Sequence, residues 1–229
     1  MKFIVNNEKK IIIGWNGKCG CSHIKTIYLY LKKKKLENKI HTHEVDNKLP
    51  ENVRDYTTII ICRNPYERVV SGFLDKYKIN GEFRRLFNQT SLTFSQFVDE
   101  LILAKWKKVD YHHFTPQLSD NFSTKLLFSK QIYFFDIANI DYNLIEQLFQ
   151  QNIPPEIKTK KQGHERQFFI KNDLPFEQYV YDLDINSFIE RKVQYKYFFN
   201  KQIQQKIYHF YIQDFLLFKQ FGLDYTLQE

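Results

Sequence analysis

The sequence is poor in the residues that staple, span or repeat. It has only three cysteines, one methionine, seven glycines and six prolines. Three cysteines, Cys19, Cys21 and Cys62, are an odd number, and two lie two positions apart. That excludes a disulfide framework and predicts free thiols in a reducing compartment. No apolar run approaches the ~20 residues that a membrane-spanning helix requires. The apolar opening, Met1 to Val5, gives way at once to Asn6-Asn7-Glu8-Lys9-Lys10, which is no secretory signal. A soluble, cytoplasmic protein without a membrane partner is expected. No acidic metal-binding cluster, internal repeat or low-complexity segment is evident, so no metal is expected either.

What is present fits an ordinary globular chain. The 229 residues suit a single domain, expected to run over 1–229. Hydrophobic residues at 43% and charged residues at 26% exclude a disordered chain. Lysine and arginine exceed aspartate and glutamate by 34 to 26, a net charge of +8. A basic surface attracts anions such as nucleotides, acidic glycans or nucleic acid, although a lysine-rich solvated surface has the same composition. The run Lys32-Lys33-Lys34-Lys35 closes an expected helix, where cations suit the helix dipole.

Hydrophobic patterning alternates strands with helices. Lys2–Val5 and Lys10–Gly14 read as strands, the second carrying three consecutive isoleucines as a strand buried on both faces does. Ser22–Lys34 reads as a helix with Ser22 as its N-cap. Thr57–Cys62 is the second buried strand, and Asn64-Pro65 starts a helix to about Tyr77. A helix over Leu92–Lys105 capped by Thr93, a strand over Gln131–Phe135 and a helix over Asp141–Gln151 follow. Asn152–Asn172 reads as a basic loop, and Asn200–Gly222 as a helix pair. This alternation predicts an α/β fold with a central, mostly parallel sheet flanked by helices, of the three-layer P-loop-like class. Ligands of such folds bind beyond the carboxyl ends of the strands.

Gly17-Lys18-Cys19-Gly20-Cys21-Ser22 joins a buried strand to a helix start. That is the recipe for a phosphate cradle, with backbone N–H groups and the helix dipole converging on an anion. The nucleoside triphosphate pattern G-x-x-x-x-G-K-[ST] is absent, because here the lysine precedes the second glycine. Beyond the second buried strand comes Arg63, in "RNPYERVVSGFLDKY". It can reach an anion beside the first loop, and Ser71, two helical turns on, can add a hydroxyl. The alternative for this segment is a surface network of Arg68 with Glu67 and Asp75.

"GKCGCSHIK" resembles the P-K-x-G-C-[ST]-x-x-K loop of the carbohydrate sulfotransferases of the chondroitin/dermatan and 2-O-sulfotransferase type. "RNPYERVVSGFLDKY" is similar to their R-D-P-x-E-R-[LV]-V-S-x-[FY]-x-D-K-[FY] segment. "TFSQFVDEL", "DYHHFTPQ", "YFFDIANIDYNLIEQLF" and "IYHFYIQDFLLFKQFGLDY" look like further family segments, in order. Gly17 stands where the family has proline, and Asn64 where it usually has aspartate.

The resemblance implies transfer of a sulfuryl group from 3′-phosphoadenosine-5′-phosphosulfate (PAPS) to an acceptor hydroxyl, with a glycan first among acceptors and no nucleic acid partner. It assigns the 5′-phosphosulfate to Lys18, Cys19, Gly20, Cys21 and Ser22, with help from Lys25. It assigns the 3′-phosphate to Arg63 and Ser71. Lys18 is the candidate for stabilising charge on the leaving oxygen. A histidine is the natural general base. His43 and then His41, in a His-x-His like that of the 2-O-sulfotransferase branch, come before His113. Two alternatives stand beside this reading: a nucleotide kinase-like P-loop enzyme, and a non-catalytic basic polyanion-binding protein of the same fold. A metal or redox site at the three cysteines is disfavoured by the C-x-C spacing.

Overall fold

Three short runs rich in isoleucine, phenylalanine and threonine build the parallel part of the structure. The computed structural model describes residues 1–33, 48–78, 81, 92–105, 109–118, 122–159, 177–189 and 193–226. In chain order the elements are β1 (Lys2–Asn6), β2 (Ile11–Trp15), α1 (Cys21–Leu31), β3 (Thr57–Cys62), α2 (Pro65–Lys76), α3 (Phe94–Ile102) and α4 (Tyr111–Phe114). There follow β4 (Gln131–Asp136), α5 (Tyr142–Phe149), α6 (Pro155–Lys158), α7 (Ile185–Phe188), α8 (Lys201–Phe210) and α9 (Ile212–Gln220). Among the described residues the sheet has four strands in the order β1-β2-β3-β4. β1 pairs with β2 antiparallel, while β2, β3 and β4 run parallel. The expected mixed α/β architecture with a mostly parallel sheet is therefore present.

The chain forms two compact units. The first comprises Met1–Arg63, Gln117–Glu165 and Phe221–Leu223; the second comprises Asn64–Pro116, Arg166–Gln220 and Asp224–Glu229. In the first unit, every residue of β2 is buried, as its run of isoleucines predicts for a strand covered on both faces. Ile11, Ile13 and Trp15 share a face with Ile59 and Ile61, and that face packs on Ile24, Ile27 and Leu31 of α1 and on Ile145 and Phe149 of α5. Alternate residues point the other way, where Phe134 stacks on Phe221 at 3.8 Å.

The second unit has an aromatic core. Phe73 and Leu74 of α2, Phe94 and Phe97 of α3, and Phe198 and Ile207 all lie in one buried cluster. Rings meet at the offset and edge-on spacings that their quadrupoles favour, such as Phe73 with Phe97 at 5.2 Å and Phe94 with Phe198 at 5.4 Å. Arg68 is buried rather than part of a surface network. Its guanidinium donates to the Thr115 carbonyl at 2.8 Å. Burial of the whole side chain is what excludes the surface alternative.

Several local readings hold. The Asn64 side chain accepts from the Tyr66 N–H at 3.0 Å, with Pro65 first in α2. Thr93 and Gln96 form a reciprocal capping box on α3. The start of α1 differs from expectation. Its N-cap is Gly20, at φ 73° and ψ 33°, and Ser22 lies one residue inside the helix. The helix also stops at Leu31, ahead of the lysine run, where Lys33 turns left-handed at φ 52°. Pro155–Lys158, expected within a loop, forms the single turn α6 after Pro154, because proline presets the first helical position.

Gly20 is fixed by two constraints together. Its positive φ disfavours any side chain, and a Cβ there would lie 2.3 Å from Cδ1 of Ile137. Gly20→Ala should destabilise the protein by about 1–3 kcal/mol in urea unfolding, combining left-handed strain with overpacking. Ile137→Ala made in the Gly20→Ala background should recover the steric part of the loss and leave the backbone part. Strict additivity of the two substitutions would show that the contact has no energetic weight.

Candidate active site

Register brings three strand ends to one line. Trp15 pairs with Ile61, and Ile61 with Phe135, so the three strands end within one residue of one another and Asn16, Arg63 and Ile137 are the first residues beyond them. Ile137 N–H donates to the Cys62 carbonyl at 2.9 Å, carrying the ladder one step beyond β4.

The loop after β2 folds tightly. Cys19 N–H donates to the Asn16 carbonyl at 3.2 Å, closing a four-residue turn. Lys18, at φ 66°, takes the third position of that turn, where glycine or asparagine is usual. Gly20 then caps α1, whose first intrahelical bond runs from Ile24 N–H to the Gly20 carbonyl. The first turn of α1 holds no acidic side chain, so the positive end of its dipole faces no anion from that turn.

The structure joins the two segments that the sequence put forty-five residues apart. The Arg63 guanidinium donates to the Lys18 carbonyl at 3.3 Å. Lys18, Cys19, Gly20, Cys21, Ser22 and Arg63 thus share one end of the sheet in the first unit. Lys25 lies one turn into α1 and is buried. Burial lowers its pKa from the ordinary 10.5; Cys21 opposes that shift and the charge of Lys2 adds to it.

Sequence reasoning did not nominate the residue that fastens these segments. Gln117, fully buried, accepts on Oε1 from the Arg63 N–H at 3.1 Å and from the Cys19 thiol at 3.0 Å. Its Nε2 donates to the Arg63 carbonyl at 2.8 Å, and its own carbonyl accepts from Asn16 Nδ2 at 2.8 Å. The available signal was the glutamine ending "DYHHFTPQ". The cysteines are free thiols, with Cys19 and Cys62 buried. Among the described residues, no three His, Cys, Asp or Glu side chains are placed to share a metal ion.

Ser71 and His113 belong to the second unit. Ser71 is half-buried on α2. His113 Nδ1 hydrogen-bonds the carboxylate of Asp110, the residue that caps α4. An ionised carboxylate only accepts, so the ring carries its proton on Nδ1 and leaves Nε2 as the basic nitrogen. Asp110 also accepts from the His112 N–H at 3.0 Å, and its own N–H donates to the Tyr77 hydroxyl at 3.2 Å. His41, His43 and residues 160–166 of the basic segment lie outside the described residues. No described helix is long and apolar enough to cross a membrane.

The Asp110–His113 pair has an acid signature. Burial alone would raise the Asp110 carboxyl, but the His113 hydrogen bond and charge, with the His112 N–H and charge, outweigh it. The net pKa lies below the ordinary 3.8. A depressed carboxyl stabilises the fold above its unfolded pKa, and that contribution is lost as pH falls through the folded value. Unfolding free energy should therefore drop as pH is lowered from about 4. Asp110→Asn, which retains the cap, should flatten that acid limb in urea titrations; an unchanged limb would remove the pair from the account.

No curated protein and no solved structure matches the chain. A family model does match, over residues 1–221, and is described as the sulfotransferase family. It covers the loop after β2, Arg63 and Gln117 in a single span, and the chain accordingly belongs to the sulfotransferase family.

Proposed function

We propose that this sulfotransferase takes the sulfuryl group from PAPS and delivers it to a hydroxyl, first of all on a carbohydrate, by in-line displacement. The observation that carries the reading is the 3.3 Å contact between the Arg63 guanidinium and the Lys18 carbonyl. Family resemblance assigns these residues to opposite ends of one bisphosphorylated nucleotide, and they are neighbours. The cradle suits such an anion: it joins a left-handed glycine, the start of an eleven-residue helix and two cations. PAPS supplies an activated sulfuryl group on a phosphate leaving group.

In this reading the N–H groups of the cap Gly20 and of Cys21 and Ser22 in the first turn, with the Ser22 hydroxyl, hold the 5′ end. The Cys19 backbone shapes the loop, and Lys25 adds positive potential. Arg63 grips the 3′-phosphate with a forked, charge-assisted contact, and the family pattern adds Ser71. Lys18, rather than a metal ion, neutralises charge on the leaving oxygen, an interaction stronger in the transition state than in the ground state. Residues 1–229 serve as one sulfotransferase domain of the three-layer P-loop-like class. The free thiols suit a reducing, cytoplasmic setting, and no nucleic acid partner is proposed.

A histidine takes the acceptor proton. The resemblance puts His43 first and His41 second; the bond from His113 to Asp110 favours His113, because it holds the basic nitrogen ready.

Two measurements test the reading. The first combines ligand-induced thermal shift with a Lys18 variant. The desulfated product, 3′-phosphoadenosine-5′-phosphate, should stabilise the protein, and ATP with magnesium should not; the reverse would indicate a kinase. Lys18→Ala should lower kcat by about 100- to 1000-fold while product affinity falls far less. A defect wholly in KM would assign Lys18 to ground-state binding. The second compares His43→Ala, His41→Ala and His113→Ala with radiolabelled PAPS across an acceptor panel. The base should be the variant losing about 100- to 10,000-fold in turnover with product binding intact. Normal turnover in all three would remove histidine from the mechanism.

A further inference from the structure

Gln117 is a fully buried polar side chain at the strand ends, and its contacts have a specific form. Its amide meets Arg63 at two points, accepting from the N–H at 3.1 Å and donating to the carbonyl at 2.8 Å. That is the pattern by which a neighbouring strand pairs with a residue, so Gln117 extends the ladder of β3 past Cys62. Rotating the amide by half a turn would set Nε2 against an N–H and Oε1 against a carbonyl, so the pattern fixes its orientation.

The same oxygen accepts from the Cys19 thiol at 3.0 Å, and the Gln117 main-chain carbonyl accepts from Asn16 Nδ2 at 2.8 Å. Asn16 and Cys19 are the first and last residues of the turn that carries Lys18, and their own bond closes it. One residue therefore grips both ends of the Lys18 turn and the backbone of Arg63. Thr115, held extended at ψ 148° ahead of Pro116, leads the chain into this position. A fully buried amide is costly unless every polar atom is matched, and an apolar residue of equal size would leave the Arg63 N–H and carbonyl without these bonds.

We propose that Gln117 is the positioning residue of the donor site, locking the Lys18 turn to Arg63 so that both anion-holding segments are presented as one preformed surface. The proposal rests on the PAPS reading above for its ligand, while the lock itself is a property of the protein alone. Two linked phosphate-holding segments gain from being held in register, because the second contact then forms at high effective concentration. Gln117 touches neither phosphate; it acts through Lys18 and Arg63.

The test uses the full chain and three measurements on wild type, Gln117→Met and Gln117→Glu. Methionine keeps the volume and loses the hydrogen bonds. Glutamate keeps an acceptor for the Arg63 N–H and sets a second oxygen against the Arg63 carbonyl. Calorimetric titration with 3′-phosphoadenosine-5′-phosphate and with adenosine 5′-phosphate gives the advantage of carrying both phosphates. In Gln117→Met that ratio should fall about tenfold, and further in Gln117→Glu. General loosening of the fold would weaken both ligands alike and leave the ratio unchanged, which would overturn the proposal.

Amide hydrogen exchange of the ligand-free proteins should show faster exchange at Cys19 and Arg63 in both variants, with β1 and the amino-terminal halves of β2–β4 unchanged. Unaltered exchange at those two positions, or equal acceleration across the sheet, would also overturn it. If wild type fails to bind the bisphosphate, the PAPS reading falls. The exchange result alone then decides whether Gln117 locks the two segments.

Discussion

The parallel register of β2 against β3 is the constraint on which the first unit depends. Trp15 opposite Ile61 sets where each strand ends, and the Lys18 turn and Arg63 begin immediately beyond those ends. A slip of β2 by one residue would turn Ile11, Ile13 and Trp15 away from α1 and α5 and reverse the facing of that strand. The burial of β2 on both faces makes such a slip expensive, so packing in the core determines where these residues leave the sheet. The Arg63–Lys18 contact and the Gln117 amide refine a position that isoleucine packing has already chosen.

Much of this was legible because it is local. Ile11-Ile12-Ile13 and Thr57–Cys62 announce buried strands by β-branched content alone. Asn64-Pro65 and Thr93 with Gln96 announce helix starts through side chains that reach their own backbone. The cap of α1 was not legible in the same way. Ser22 has the right chemistry for a cap, but the left-handed turn at Gly20 lies against Ile137, contributed by the end of β4. Nothing within the loop's own letters encodes that neighbour. Gln117 escaped for the same reason: its partners are Asn16, Cys19 and Arg63, all far away in sequence. Arg68 reads as a surface charge beside Glu67 and is instead buried, donating to the Thr115 carbonyl.

The two units hold their polar groups by different means. In the first, the Arg63 main chain at the end of β3 is matched by the Gln117 amide, which also accepts from the Cys19 thiol, and sheet-like pairing continues past the sheet. In the second, long side chains reach the backbone of the Asp110–Thr115 stretch: Arg68 to Thr115, Tyr211 to the Phe114 carbonyl and the Tyr77 hydroxyl to the Asp110 N–H. Burial pushes the Tyr77 phenol well above its ordinary value, a backbone bond from Asp110 partly opposes this, and the Asp110 charge adds to it. That phenol stays neutral at any physiological pH and serves as a fixed dipole beside the Asp110–His113 pair.

Lys18 occupies a backbone conformation that its own side chain disfavours. A non-glycine residue at φ 66° costs of order 1 kcal/mol, and glycine or asparagine would relieve it. The position is thus one where thermodynamic optimisation and a positively charged tip are at odds. A purely stability-directed redesign would be drawn to replace the lysine and would score the change as an improvement. On the proposed reading, the loop gives up folding stability to hold a charge at the cradle, and stability-guided engineering erases that kind of residue first.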